Sequence, residues 1–308
     1  VGSGVTSRWQ TSRFDIDLTM PKVMGIVNVT PDSFSDGGAH ATSNAACAHC
    51  DLLLRDGADI LDIGGESTRP GAASVALQEE LARVLPVVRY AVTLGVPVSV
   101  DTYKPAVMQA VLDLGADIIN DIWALRWSDG AATTAALSAE QVVAAHKHCG
   151  VCLMHMHRDP QTMQMAPMEG DPLPAVARFL QARAQALRDR GVASGRICLD
   201  PGIGFGKTPA QNFALLARQE ELLECGYPLL AGWSRKSSLA TVLQREEQGS
   251  QVDMTDKTVM ADMSDRLAPS LAAALLAVQR GASVVRVHDV RQTVQVLAVL
   301  EAVKRAGN

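Results

Sequence analysis

The stretch Val23-Met-Gly-Ile-Val-Asn-Val-Thr-Pro-Asp-Ser-Phe-Ser-Asp-Gly-Gly38 joins a strand to a loop of different chemistry. Val23 to Val29 is apolar except for Asn28 near its end. That is the composition of a strand covered on both faces in a parallel sheet. Thr30, Pro31, Asp32, Ser33, Ser35 and Asp36 follow, with Phe34 among them, and Gly37 and Gly38 close the run. A plain connector is short and needs no aromatic ring among carboxylates and hydroxyls. Active sites of α/β enzymes begin where a buried strand ends on a polar side chain and opens into such a loop.

Outward from this unit the same order repeats. Strands are expected at 23–29, 58–63, 97–101, 117–121, 151–156, 196–200, 228–232 and 283–287. Helices are expected at 43–56, 77–94, 104–115, 131–148, 173–191, 209–224, 265–280 and 290–305. A helix after every strand implies parallel pairing through right-handed crossovers, and eight units suggest an α/β fold closed as a (β/α)8 TIM barrel. The alternative, an open doubly wound sheet, would carry a G-x-G-x-x-G turn after its first strand, and Gly37 and Gly38 lack that spacing. Two stretches exceed a minimal barrel: Trp123 to Ala139, and the polar run Ser238 to Asp265, expected as an excursion at the barrel mouth.

The bulk numbers agree with one such barrel. The chain has 308 residues, 47% of them hydrophobic, and a formal net charge of −5. The reading is an N-terminal extension, 1–22, followed by a single barrel domain, 23–308. Nothing in the charge calls for nucleic acid. No apolar run reaches the roughly 18 residues of a membrane span. Residues 1–22 carry Arg8, Arg13, Asp15 and Asp17 and no apolar run, so no signal peptide is expected and the cytoplasm is the expected compartment. The six cysteines include two C-x-x-C pairs, Cys47/Cys50 and Cys149/Cys152. One pair lies inside a helical stretch and the other precedes a strand, the reverse of a thioredoxin arrangement, so reduced core cysteines are expected.

In a barrel the C-terminal strand ends converge, and side chains two apart share a direction. Here those ends are polar: Asn28, Asp62, Ser99 and Asp101, Asn120 and Asp121, Asp200, then Ser234, Arg235 and Lys236, and Arg286 and His288. So many polar ends at one level of the repeat point to a site rather than to helix capping alone. Asp101, Asn120 and Asp200 suit a flat heterocycle rich in N–H donors. Arg69, Lys236, Arg286 and His288 suit an anion such as phosphate or diphosphate. The implied substrate has a polar heterocycle at one end and a phosphorylated group at the other.

Three motifs are discounted. Gly202-Ile-Gly-Phe-Gly-Lys207-Thr208 ends like a P-loop, but Pro201 stands where the first glycine belongs. His155 and His157 resemble a metal dyad but lack a partner histidine at the sixth strand end. His146 and His148 close a helix, where histidine suits the dipole.

The motif set resembles that of bacterial dihydropteroate synthases. The matching segments are MGIVNVTPDSFSDGG at 24–38, DIGGESTRPGA at 62–72, SVDTYKPAV at 99–107 and IINDI at 118–122. They continue with LMHM at 153–156, DPGIGFGKT at 200–208, SRKS at 234–237 and RVHDV at 286–290. The resemblance implies a homodimeric (β/α)8 barrel that joins 4-aminobenzoate to a dihydropterin diphosphate in folate synthesis, with sulfonamides as competitors. It implies a pterin pocket of Asp101, Asn120, Ile122, Met154, Asp200, Phe205, Lys236 and Arg286. Diphosphate would meet Asn28, Thr68, Arg69, Arg286 and His288, with Mg2+ at Asn28. Phe34, Pro70 and Ser237 would contact aminobenzoate, with Asp36 near the reacting carbon and the first two loops closing as lids. Trp233 stands where the family pattern has Met, which places the aminobenzoate side of the pocket in question.

Charge neutralisation of the leaving diphosphate, and carboxylates near the positive charge left on the CH2, imply a largely dissociative, SN1-like displacement. The nearest rival is a methyltetrahydrofolate-type pterin methyltransferase, which has no use for the anion cluster. A metal-dependent amidohydrolase would rest on His155 and His157. A third alternative is a non-catalytic pterin-binding barrel.

Overall fold

A computed structural model describes residues 6–30, 38–68, 72–128, 137–163, 165–247 and 266–307. Two short antiparallel strands come first, β1 (Arg8–Gln10) and β2 (Asp15–Asp17). The repeating part is β3 (Lys22–Asn28), α1 (Gly38–Arg55), β4 (Ile60–Gly64), α2 (Leu77–Ala91), β5 (Val98–Asp101), α3 (Pro105–Asp113), β6 (Ile118–Asp121) and α4 (Ala139–Ala145). It continues with β7 (Gly150–Met154), α5 (Pro172–Asp189), β8 (Ile197–Asp200), α6 (Pro209–Ala217), β9 (Leu229–Ala231), α7 (Ser237–Glu247), α8 (Leu267–Gln279), β10 (Ala282–Val287) and α9 (Val290–Ala306). Strands β3 to β10 form a closed, all-parallel barrel, β10 pairing back onto β3. The fold is the expected (β/α)8 barrel.

Alternation along each strand sorts side chains into two cores. Outward residues such as Val27, Ile63, Val100, Ile119, Leu153 and Val285 pack under the helices. Inward residues form levels along the axis. The lowest level is apolar: Met24, Ile60, Ile118, Cys152, Cys198, Leu230 and Val284. Above it, two residues further along the strands, stand Ile26, Asp62, Asn120, Met154, Asp200 and Arg286. The register pairs Ile26 with Asp62, Asp62 with Ser99, and Asp101 with Asn120.

The hairpin β1–β2 was not legible in the sequence. It joins the apolar lower level through Trp9, Ile16 and Leu18. The fully buried Trp9 indole donates to the Arg196 carbonyl at 2.9 Å. Arg13 grips Asp117, with its Nη2 at 2.6 Å and its Nε at 3.1 Å, and its Nη1 donates to the Val92 carbonyl at 2.6 Å. Asp117 also accepts from the Val98 amide, which fixes the start of β5 beside β6. The hairpin closes the N-terminal end of the barrel and leaves the other end as the mouth.

Two expectations are corrected. The helix expected over 131–148 is confined, among the described residues, to α4 at 139–145, whose Ser138 and Gln141 form a capping box. The run from Ser238, expected as an excursion, begins as helix α7. The rest of it, 248–265, lies outside the described residues.

All six cysteines are free, and four are buried. The second C-x-x-C pair is split: Cys152 faces the barrel interior, while Cys149 lies 3.2 Å from the Arg196 guanidinium. Among the described residues no group of three or more His, Cys, Asp and Glu side chains is placed to hold a metal.

Candidate active site

The mouth is organised around Arg286 on β10. Its Nε donates to Asp62 Oδ2 at 2.6 Å and its Nη2 to Asp101 Oδ2 at 2.8 Å. Asp62, fully buried in the middle of β4, also accepts from Ser99 Oγ at 2.6 Å and from Asn120 Nδ2 at 3.3 Å. One carboxylate thus orients an arginine, a serine and an asparagine from three other strands. Burial works against the charge of Arg286, but Asp62 and Asp101 outweigh it and raise its pKa. Burial pushes Asp101 up to about 7, against the pull of Arg286 and with Asp62 adding to the rise. Asp62 was legible as a polar strand end, but nothing in the sequence showed that it would anchor the cluster.

The loop after β8 forms the next wall. Asp200, raised by burial, accepts from the Gly202 amide at 2.7 Å. Phe205 packs with Ile122, Met154, Met156, Met163 and Tyr103 in a small apolar cluster, with Trp123 and Trp127 against it. Lys236 lies over the Phe205 ring, its Nζ 4.3 Å from the centroid. The buried Lys207 turns its ammonium onto three backbone carbonyls, and burial pulls its pKa down to about 7. The result is an apolar surface rimmed by carboxylates, an amide and a lysine.

The loop after β9 supplies the third wall. Ser234 Oγ stands 3.0 Å from His288 Nδ1 and accepts from the His288 amide at 3.1 Å. Arg235 has φ +58 and is tied to Asp289 by two hydrogen bonds, with its amide on Ser270. This left-handed turn sends Arg235 to Asp289 and Lys236 to Phe205. Ser234, Arg235 and Asp289 are therefore supports that the motif alone did not reveal. Ser237 is exposed at the start of α7. Trp233 is buried and stacks on Phe213 of α6 at 5.5 Å, packed in the outer core rather than in the cluster around Phe205.

Asn28 ends β3 opposite Gly64, half-buried at the mouth. Beyond Gly64, Glu66 accepts from Tyr103 Oη at 2.8 Å and pairs with Lys104, which also pairs with Glu80. This ties the base of the β4 loop, which carries Thr68, to the loop after β5. A cavity of about 410 Å3 opens there between Thr68, Tyr103, Lys104, Ile122 and Trp127. Phe34, Asp36, Arg69 and Pro70 lie outside the described residues.

His155 is buried edge-on against Phe179 at 5.0 Å, and burial holds it neutral, its pKa drawn down to about 2.

The barrel with its polar mouth and apolar wall falls in a class of pterin-binding enzymes, because the family described as "Pterin binding enzyme" matches residues 24–288. The dihydropteroate synthase of Neisseria meningitidis serogroup C is 47% identical over 297 residues, covering 96% of each chain. The Xanthomonas albilineans dihydropteroate synthase solved with 4-aminobenzoic acid superposes with a TM-score of 0.82 at 45% identity, covering 97% of this chain and 98% of the other. The Burkholderia cenocepacia dihydropteroate synthase complexed with 7,8-dihydropteroate gives 0.81 at 45% identity, covering 98% of both. The chain belongs to the dihydropteroate synthase family.

Proposed function

We propose that this chain condenses a dihydropterin-6-ylmethyl diphosphate with 4-aminobenzoate, giving 7,8-dihydropteroate and diphosphate in folate synthesis. The observation that carries the reading is the Asp62–Arg286–Asp101 cluster set beside Asn120 and Asp200 at the barrel mouth. It offers carboxylate and amide partners to the amino and ring N–H groups of a pterin lying on Phe205 and Met154. Lys236 caps the ring system from the other loop.

Loss of diphosphate leaves positive charge on the CH2, delocalised into the pterin. Asp101, beside Arg286 at the barrel mouth, would stabilise that charge, and Asp36 would join it if the β3 loop covers the site. Arg69, Arg286 and His288 would neutralise the leaving diphosphate, with Ser234 holding the His288 ring in orientation. The amine of 4-aminobenzoate is already nucleophilic, so a strong general base is unnecessary, and the displacement is largely dissociative. Ser237, Phe34 and Pro70 would line the aminobenzoate side, where sulfonamides would compete.

Mg2+ fits the donors present. Asn28 offers one hard amide oxygen at the mouth, and Mg2+ is commonly held by one or two protein oxygens together with substrate phosphates and water. When bound there it would neutralise charge on the leaving diphosphate. We propose further a homodimer working in the cytoplasm, with residues 23–308 as one domain.

Purified chain should turn over continuously when pterin diphosphate, 4-aminobenzoate and Mg2+ are all supplied, forming dihydropteroate and diphosphate in equal amount. No aminobenzoate-dependent product would overturn the reading.

A further inference from the structure

The segment Gly202-Ile-Gly-Phe-Gly-Lys207 fails as a P-loop by spacing, and its geometry explains what it does instead. A P-loop turns backbone N–H groups toward an anion. Here carbonyls converge on a cation. Lys207 Nζ donates to the Gly202 carbonyl at 2.8 Å, the Phe205 carbonyl at 3.2 Å and the His155 carbonyl at 3.3 Å. An ammonium has three N–H groups, so three carbonyls satisfy it completely without a carboxylate.

The backbone can wrap in this way because Gly202 and Gly206 adopt φ of +69 and +70. A Cβ on Gly202 would lie 1.9 Å from the His155 carbonyl oxygen, and one on Gly206 would lie 2.6 Å from that of His157. The side chain links two segments: the loop that follows Asp200 at the end of β8 and carries Phe205, and the chain leaving β7 at His155. Both border the apolar wall of the pocket, where Phe205 meets Met154 and Met156.

We infer that Lys207 is a positioning residue, its ammonium gathering the His155, Gly202 and Phe205 carbonyls and so fixing the Phe205 wall on which the heterocycle stacks. The inference rests on the pterin reading of the site. Lys207 itself is buried, and its ammonium is turned onto backbone carbonyls rather than into the mouth. The effect is specific to one substrate, because the aminobenzoate contacts proposed above come from other loops.

K207M removes the donors and keeps most of the apolar stem. It should raise KM for the pterin diphosphate about tenfold or more, a loss of about 1.4 kcal/mol, while KM for aminobenzoate stays within about twofold. K207R, which keeps charge and donors, should recover part of the pterin KM. A folded K207M with an unchanged pterin KM overturns the inference. So does a rise in both KM values by the same factor, which is the mark of general loosening. Should K207M fail to fold, lysine 15Nζ NMR of the wild-type chain decides the matter. A protected Lys207 ammonium signal, absent from K207R, should shift when a pterin is added, and a Lys207 signal indifferent to pterin overturns the proposal. A wild-type chain that binds no pterin at all would overturn the pterin reading as well, which separates the two failures.

Discussion

The two ends of the barrel are made by the same strands in the same inward direction, yet they differ in chemistry. At the floor, Met24, Ile60, Ile118, Cys152, Cys198, Leu230 and Val284 meet Trp9 of the hairpin in an apolar plug. Two residues further along, the same directions carry Asp62, Asn120, Asp200 and Arg286. The floor gains from burying carbon, while the mouth holds buried charge that is stable only through its pairing. Stability and function are thus divided along one axis, and substitutions at the two ends should behave differently.

The largest effect is expected at the mouth. Asp62→Ala removes the partner of Arg286 Nε and the acceptor of Ser99 and Asn120 together. Breaking a buried pair costs about 3–5 kcal/mol. If that loss falls on the transition state, kcat/KM drops by at least about 100-fold. Steady-state kinetics and a thermal melt on the same protein would check it. Wild-type turnover would show that Arg286 keeps its place without Asp62, and the cluster would lose its organising role.

At the floor, Trp9→Ala should cost about 3–5 kcal/mol of stability, as large-to-small changes of buried tryptophan do. Its kcat/KM at a temperature where the variant remains folded should stay within about twofold of wild type. A large kinetic loss in folded protein would mean that floor and mouth are coupled, contrary to the division drawn here.

A smaller effect follows from pH. Asp101 ionises near 3.8 when unfolded and is pushed up to about 7 in the fold, with burial the main cause. Between those values the folded chain holds a proton that the unfolded chain has released. Asp101 therefore contributes stability that is fully present below about pH 4 and is lost as pH rises toward 7. Denaturant unfolding at several pH values should show that this falling component vanishes in Asp101→Asn and persists in Trp9→Ala. An identical pH dependence in wild type and Asp101→Asn would remove the buried-charge account of the mouth.

The barrel was legible because strand and helix alternate at periods the sequence displays directly, and the mouth because polar residues interrupt apolar strands at one level. The hairpin was not, since three-residue strands such as Arg8–Gln10 carry too little pattern to register; only the later burial of Trp9 gives them meaning. Asp62 showed its position but not its importance, because its three partners come from β5, β6 and β10 and meet only after closure. Trp233 was ambiguous for a related reason. A residue two steps past a strand has no direction until the turn at Arg235 is known. Lys207 was hidden because its partners are carbonyls, which every residue has and no sequence marks.

The smallest expected effect probes the mouth at its weakest support. Ser234 Oγ meets His288 twice, at Nδ1 and at the backbone amide, and His288 has further surroundings of its own. Ser234→Ala removes both bonds and leaves a small apolar group, so a loss near 1 kcal/mol is expected. His288 is assigned to the diphosphate, so the loss should fall on kcat and on diphosphate affinity, about threefold to tenfold, while affinity for a pterin without diphosphate stays at the wild-type value. Product inhibition by diphosphate and titration with a plain pterin separate the two. Weakened pterin binding with unchanged diphosphate inhibition would place His288 on the heterocycle side of the mouth, and the boundary between the two halves of the site would have to move by one loop.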